Sequence, residues 1–448
     1  MRSDQSRIIG VRDEPHFTPT LVHDVEASEP LVGIRSAMTT TGAPFGRARI
    51  LVRVHTWPVG FVELDLGEAG ISPDSLAAAL EAELGFEIKR HLEIDAVGRV
   101  VGPEGGTIPH GSEPACLLAR AETLLAPPSI SVVVPTVDRP EALRRCLQDL
   151  AAQAYPEFEI LVVDNAPGRS GAEAVVSSLG AGNRTVRYLV EPRRGASRAR
   201  NRGLQEARGE FVAFVDGDVR VDRSWLAAVA TSLRSPVDGH VYASCVTGAI
   251  LPTNLETPAQ AWMEEWGGYS KGFERRVFDM RDHRTGSPLY PFAAAVFGSG
   301  AQMSFRTSAL RELGGFDVAL GGGTPSRSGE DLAAFLDVVS GGGTIVYDPG
   351  AIVWHEHPRS EAQFRSTLHA YGIGLTSFLM RHVFRHPLDA VRISAALPAA
   401  ATYFFRNDSP HNVGRSPTFP RAIWKDEIAG MIRGPFAYAA GRVLGHLR

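Results

Sequence analysis

The stretch GEFVAFVDGDVRVDRSWL, Gly209 to Leu226, decides how this chain is read. Five apolar residues, Phe211 to Val215, run into Asp216-Gly217-Asp218, and a third acid, Asp222, follows. Asp and Gly end strands and make turns, so the triplet alone fits any strand end. Its surroundings carry the information. Upstream, SISVVVPT (129–136) is a β-branched run suited to a parallel sheet covered on both faces. RPEALRRCLQDLAAQ (139–153) starts a helix near Pro140 and puts Leu143, Cys146, Leu147 and Leu150 on one stripe. FEILVVDNA reads as a second strand, AEAVVSSLG as a helix and TVRYLVEP as a third strand. ASRARNRGLQEARG is the next helix, and EFVAFVDGD closes the series as a fourth strand. Strand and helix alternating at this spacing imply a right-handed parallel α/β sheet, and such sheets collect ligands at the carboxyl ends of their strands.

That rule brings scattered polar residues to one rim. The first strand ends at Pro135-Thr136 with Asp138 and Arg139 beyond, the second at Asp164-Asn165, the third in Arg193-Arg194-Gly195, and the fourth at Asp216-Gly217-Asp218. Each has an ordinary explanation alone: a turn, or an acid starting a helix. Their coincidence on one edge favours a site. Residues 184 to 208 hold eight arginines, most of them expected on a solvated helix face. Gly195, at a helix entry, lets backbone approach a ligand, and helix N-termini and arginine forks both attract phosphate. A divalent ion held by Asp216 and Asp218 would bridge acids to phosphate, and carboxylate plus phosphate oxygen is a ligand set for Mg²⁺ or Mn²⁺. Asp222 is expected to start the helix at Ser224-Trp225 rather than touch metal.

The chain has 448 residues, 44% hydrophobic and 21% charged, the composition of a globular protein of two or three units. A net charge of −4 argues against general nucleic-acid affinity. Cys116, Cys146 and Cys245 are widely spaced with no C-x-x-C, so neither a zinc cage nor a disulfide framework is indicated, and a reducing cytoplasm fits. The first seventeen residues lack the apolar core of a signal peptide. The run Ile393–Phe405 is too short for a membrane span and holds Pro398. Attachment to the inner face of a membrane is left open.

Residues 1–45 read as irregular or partly disordered. Residues 46–126 read as a small α+β domain: two strands about Trp57-Pro58, a helix capped by Ser72, begun by Pro73 and stopped by Gly85, then FEIKRHLEID as a strand. His55 and Trp57 are taken there as packing residues. Residues 127–360 hold the α/β domain, and 361–448 a helical extension. In that extension Phe364, Leu368, Tyr371, Leu375 and Phe378 share a helical stripe. Packing on the domain is preferred there to a basic, membrane-facing surface carrying Arg365, His369, Arg381, His382 and Arg385. Gly434-Pro435 is expected to break the last helix.

Five segments then resemble glycosyltransferase family 2, the group with a GT-A-type nucleotide-sugar domain. They are VVVPTVDRPEALRRCLQDL, EILVVDN, GASRARNRGLQEARGEFVAFVDGDV, GSGAQMSFRTSALRELGGFD and GEDLAAF, spanning about 130–360. The resemblance implies Pro135, Thr136 and Arg139 beside the nucleobase and ribose, and Asp164 on a uracil-like base. It implies Arg194 and Gly195 near the diphosphate, and Arg200 in a donor-side helix signature with a mainly structural Asn201. It makes Asp216 and Asp218 the D-x-D, with Asp216 towards ribose and metal. Gly217 departs from the usual acid or Ser between them. Gly298, Ser299 and Gly300 shape the acceptor pocket; alone, they read as a β-bulge. The Gly321–Gly329 run is expected to be a mobile acceptor-covering loop. Asp331 becomes the general base and Glu330, acceptor-side, the runner-up; both would otherwise be ordinary first-turn acids. His355, or His357 two residues on, reaches the metal or the diphosphate as a histidine does in some relatives.

The expectation is thus an α/β fold, a GT-A-type mostly parallel sheet flanked by helices. Its activity would be inverting, Mn²⁺- or Mg²⁺-dependent, non-processive transfer from a nucleoside-diphosphate sugar to a carbohydrate, lipid-linked or small-molecule acceptor. The alternatives are a nucleotidyltransferase, which calls for a different first loop than PTVDRP, and a non-catalytic nucleotide-sugar-binding scaffold, which Asp331 turned away from the rim would favour.

Overall fold

The structure, a computed structural model, describes residues 16–95, 114–178, 186–406, 408–409, 411–420 and 422–447. The Gly/Pro-rich link at 101–113 and the first fifteen residues lie outside these. Strands β1 (Thr20–Glu26), β2 (Arg47–Val54) and β3 (Trp57–Asp65) form a three-stranded sheet, with β1 parallel and β3 antiparallel to β2. Thr20–Glu26 lies in the segment expected to be irregular, and it is a strand. Val25 and Phe45 are buried in this unit, which is the apolar content the composition of 1–45 concealed.

Helix α1 runs unbroken from Pro73 to Ile94, with Ser72 accepting the Ser75 N–H as its cap. The expected stop at Gly85 and the strand at 86–95 are therefore corrected. Leu76, Leu80, Leu84, Ile88 and Leu92 continue one i, i+4 stripe straight through Gly85, and all five are buried. Packing along that stripe outweighs the roughly 1 kcal/mol that one helical glycine costs.

Helix α2 (Ala115–Leu125) comes next, and the larger domain follows as β4 (Ile130–Thr136), α3 (Pro140–Ala151), β5 (Phe158–Asp164), α4 (Ala172–Ser178), β6 (Val186–Val190), α5 (Ala196–Glu206), β7 (Phe211–Val215), β8 (Val219–Val221), α6 (Trp225–Arg234) and β9 (Cys245–Pro252). Then come α7 (Pro258–Glu265), β10 (Arg276–Phe278), β11 (Gln302–Arg306), α8 (Thr307–Glu312), α9 (Glu330–Ser340) and β12 (Ile345–His355). Nine strands form one sheet in the order β10-β12-β9-β11-β7-β4-β5-β6, with β8 paired to β12. β7, β4, β5 and β6 are parallel, so the four strands legible in sequence are neighbours, ordered 4-1-2-3. β11 is inserted antiparallel between β7 and β9. Apolar residues cover both sheet faces, in one cluster around Trp225 and another around Phe214, Phe305 and Phe335.

The three-stranded sheet docks on this domain. Leu51 packs with Leu251 and Ile352, Thr20 exchanges backbone hydrogen bonds with Leu255, and Arg53 pairs with Asp222 at 2.7 Å. Asp222 also accepts the Ser224 N–H ahead of α6, so it begins a helix as expected and joins the two units as well.

Helices α10 (Glu361–Arg385), α11 (Asp389–Phe405) and α12 (Trp424–Leu447) complete the chain. α10 packs on the domain: Arg381 is buried and meets Asp337 and Asp317 at 2.7 and 3.0 Å. α12 continues through Pro435, correcting the expected break. Proline supplies no N–H to the carbonyl four residues back, that of Met431. The Thr376 hydroxyl donates to that carbonyl at 2.7 Å, and Ser377 donates to the Gly434 carbonyl at 2.8 Å. α10 thus supplies the hydrogen bond the proline withholds.

Candidate active site

The rim at the strand ends is organised by Arg200. Its helix, α5, opens at Gly195, whose φ of +146° strains any side-chain-bearing residue. Gly195 donates its N–H to Asn165 Oδ1, while Asn165 Nδ2 donates to the Glu191 and Arg193 carbonyls. Asn165 thereby fixes the Arg193–Gly195 turn against the end of β5, leaving Arg194 exposed above it. One turn into α5, the Arg200 side chain is buried and donates to Glu330 Oε1 at 2.6 Å, Asp216 Oδ1 at 2.9 Å and the Gly300 carbonyl at 3.1 Å. These anionic partners outweigh burial and hold its guanidinium charge more firmly than usual.

Asp331 stands at the start of α9 and accepts the Gly300 N–H at 2.7 Å and the Leu332 N–H at 2.8 Å. A Cβ at Gly300 would come within 3.1 Å of that carboxylate, so the glycine admits it. Burial, then the Glu330 charge, pushes the Asp331 carboxyl up to about 6. Asp216, a third exposed, is also raised to about 6 by burial and by Asp218 and Glu330, with Arg200 opposing. Asp218 pairs with exposed Arg139 across the groove between β4 and β7. His355 ends β12 opposite Val219, the neighbour of Asp218, and its Nδ1 is buried without a hydrogen-bond partner.

Several sequence-stretch readings shift here. Glu330, expected on the acceptor side, is buried and pairs with Arg200 at 2.6 Å. Arg200, expected in a donor-side signature, is buried within this acid network. Asp164, expected on the base, is buried, with Ala166 N–H and the Ser170 and Tyr188 hydroxyls on its oxygens. Thr136 is buried and carries the Asn165 N–H on its carbonyl; Pro135 lies half-buried beside it. His357 meets Glu264 at 2.7 Å, and Glu264 in turn holds Arg49 of β2. The Gly321–Gly329 loop, expected to be mobile, meets the start of α5: Gly322 accepts from Ala196 N–H, and Leu320 just before the loop accepts from the Ser197 hydroxyl. Gly298 (φ +151°) lies so close to Thr247 that a Cβ would meet it at 2.5 Å, and half-buried Ser299 follows it.

Two residues that sequence reading did not assign to the site line it. Tyr269 and Tyr371 share a 2.5 Å hydroxyl–hydroxyl hydrogen bond, and Tyr269 packs its ring on His355. Burial raises both phenols; Asp218 and Asp216 add to this at Tyr269, and Asp331 and Asp216 at Tyr371. The tyrosines are therefore near enough to these acids to feel their charge. Tyr371 comes from α10, read in sequence only as a packing stripe; its spacing gave no signal of a site.

Residues 131–314 match the family model for glycosyl transferase family 2. This part of the chain is a family 2 glycosyltransferase domain. Among curated relatives, the domain aligns with the pre-mycofactocin glycosyltransferase of Mycobacterium tuberculosis, 26% identical over 257 residues, covering 56% of this chain and 48% of that one. A Campylobacter jejuni protein, GalNAc(5)-diNAcBac-PP-undecaprenol beta-1,3-glucosyltransferase, is 29% identical over 123 residues, 27% of this chain and 38% of the other. The chain spans about half the length of the first curated relatives it matches. Among solved structures, a mannosyltransferase from Pyrobaculum calidifontis in complex with GDP-Man and Mn²⁺ aligns with a TM-score of 0.45 at 16% identity, covering 71% of this chain and 94% of that one.

Proposed function

We propose that the glycosyltransferase domain works by inverting, metal-dependent, non-processive transfer of one sugar from a nucleoside-diphosphate donor to an acceptor hydroxyl. The observation that carries this reading is Asp331, a carboxylate raised to about 6 and seated on the Gly300 N–H, linked through Gly300 and Arg200 to Asp216. A base with a pKa near the working pH combines the ionised form with useful basicity. Asp331 accepts the acceptor hydroxyl proton as that oxygen bonds to the anomeric carbon. The bond from that carbon to the diphosphate oxygen breaks on the opposite face, and one displacement inverts the configuration.

Pro135, Thr136, Arg139, Asp164, Arg194 and Gly195 line the donor side in this reading. Arg194 faces the diphosphate as an exposed cation beside the N-terminus of α5. Asp216, Asp218 and His355 are the candidate ligands of Mn²⁺ or Mg²⁺. His355 suits the role: burial lowers its pKa, keeping the imidazole neutral, and its Nδ1 has no other partner. A bound ion would supply Lewis-acid neutralisation of charge on the departing diphosphate. The Gln-x-x-Arg-Trp motif of processive relatives is not in the sequence.

The acceptor is proposed to enter between Tyr269-Tyr371 and Gly298-Ser299-Gly300. The polyprenol-linked name of the Campylobacter relative brings in a lipid-linked acceptor as a candidate. Exposed Leu388, Val391, Leu397 and Phe405 on and beside α11 support contact with a membrane face. No helix among the described residues is long and apolar enough to cross one. A thermal-shift screen of nucleoside diphosphates and their sugars with Mn²⁺, followed by transfer assays on the hits, tests the proposal. Stabilisation by nucleoside triphosphates alone would favour a nucleotidyltransferase, and donor binding without transfer to any acceptor class would favour a scaffold.

A further inference from the structure

A second cluster of reactive side chains lies in the N-terminal unit, on the small sheet and its helices. Asp95, the C-cap of α1, receives three groups on one oxygen: His55 Nδ1 at 2.9 Å, His91 Nε2 at 3.0 Å and Cys116 Sγ at 2.9 Å. Cys116 Sγ lies 3.9 Å from both imidazole nitrogens, and all four donor atoms fall within 4.8 Å of one another. The other Asp95 oxygen takes the Cys116 backbone N–H at 2.9 Å.

A carboxylate oxygen offers about two lone-pair sites, so three donors on Asp95 Oδ2 exceed what hydrogen bonding alone satisfies. A cation at the centre removes the conflict. Metal–nitrogen bonds of about 2.0 Å and metal–sulfur bonds of about 2.3 Å give tetrahedral edges of about 3.3–3.6 Å. The five separations that involve Asp95 or Cys116, 2.9–3.9 Å, lie within about 0.7 Å of those edges, and the two histidine nitrogens, within 4.8 Å of each other, would draw together on an ion.

The backbone adds an independent observation. His55 and Thr56 form the two-residue turn between β2 and β3 with φ of +54° and +68°. Such turns favour Asn-Gly, and a β-branched Thr at positive φ is strained. Strain is retained where the surroundings over-determine it. Here the Glu26 carboxylate accepts both turn N–H groups and Arg120 of α2 donates to the Thr56 hydroxyl. The outcome is a His55 ring carried into the cluster from a turn that asparagine and glycine would form more easily.

We propose that His55, His91, Asp95 and Cys116 are the four ligands of a closed, structural zinc site. One sulfur, two imidazoles and one carboxylate suit zinc, and four protein ligands leave no open position for catalysis. Such a set needs only one cysteine, so the lack of a C-x-x-C motif does not exclude it. His91 and Asp95 are i, i+4 across the end of α1, and the remaining ligands come from a turn and from the start of α2. The ion would close the chain across 96–113 and brace α2, which packs on α6 of the glycosyltransferase domain. A rival reading as a Cys-His-Asp nucleophile is disfavoured: Cys116 Sγ meets the Asp95 carboxylate at 2.9 Å, while the imidazole nitrogens that would act as its base are 3.9 Å away.

The test uses the full chain, expressed with added zinc and dialysed against metal-free buffer. Mass spectrometry of metals should find about one zinc per chain. A mercurial should release it, since Cys146 and Cys245 are buried and Cys116 is half-exposed. Asp218→Ala should keep the zinc, separating this site from the rim, and Cys116→Ser with His91→Ala should lose it. Cobalt-loaded wild type should show a thiolate-to-metal charge-transfer band, which decides the matter even if the double variant misfolds. Wild type without bound zinc, zinc retained by a folded double variant, zinc resistant to the mercurial, or a cobalt spectrum without that band would each overturn the assignment.

Discussion

Asp331→Asn separates chemistry from folding. In the native chain the carboxyl is raised from the ordinary 3.8 to about 6. At about 1.4 kcal/mol per pKa unit, that places roughly 3 kcal/mol of strain on the ionised form at pH 8. The folded state holds its proton more tightly than the unfolded chain, so this contribution to stability is present below about pH 4 and is lost as pH rises through about 6. Asn carries no charge to desolvate, but its single oxygen can accept only one of the Gly300 and Leu332 N–H groups. Losing one hydrogen bond costs about 1 kcal/mol, leaving a net gain of about 2 kcal/mol at pH 8 and none near pH 4. Melting scans at both pH values should show the variant's advantage only at the higher one, a few degrees in Tm. Transfer should fall by about 10²–10⁴-fold while donor affinity persists. Transfer within a few-fold of wild type would remove Asp331 as the base. A melting difference independent of pH would refute the buried-carboxylate argument.

Asp218→Ala should abolish Mn²⁺-dependent donor turnover, a drop of about 10²-fold or more, with the fold intact by circular dichroism; unchanged turnover would sink the metal assignment. Arg200→Met leaves Glu330 and Asp216 uncompensated and should destabilise the chain by about 3–5 kcal/mol in urea unfolding, while an effect under about 1 kcal/mol would contradict the network. Thr376→Val removes the donor to the Met431 carbonyl beside Pro435 and should cost about 1–3 kcal/mol, an effect that Pro435→Ala, by restoring an N–H at 435, should largely relieve.

The parallel half of the sheet was legible because buried β-branched runs and amphipathic helices alternate there with little ambiguity, and rim residues followed from the rule about strand ends. Gly85 misled because a stop signal is local while the Leu76-to-Leu92 stripe extends over more than four turns. Pro435 misled because its remedy lies in Thr376 on another helix. Within the site, Asp331 and the D-x-D were readable as acids at element ends. That Glu330 faces Arg200 while its neighbour faces Gly300 depends on helix phase against a distant strand, which one sequence does not express. Tyr371 was invisible for the same reason: a tyrosine on an apolar stripe looks like packing until the acids beneath it are placed.

The helix that carries Tyr371 is spaced from α12 by glycines in close backbone contact. A Cβ at Gly372 would meet the Glu427 carbonyl at 2.2 Å, and one at Gly430 would meet that of His369 at 2.2 Å. On its other side, Gly374 touches Ser328, next to the Gly329 cap of α9. If Tyr371 borders the acceptor as proposed, that wall is gauged by main chain rather than by side chains. Enlarging any of these glycines should move Tyr371 relative to Asp331 as a rigid displacement, so acceptor preference becomes sensitive to positions on a helix seam that never meet the substrate.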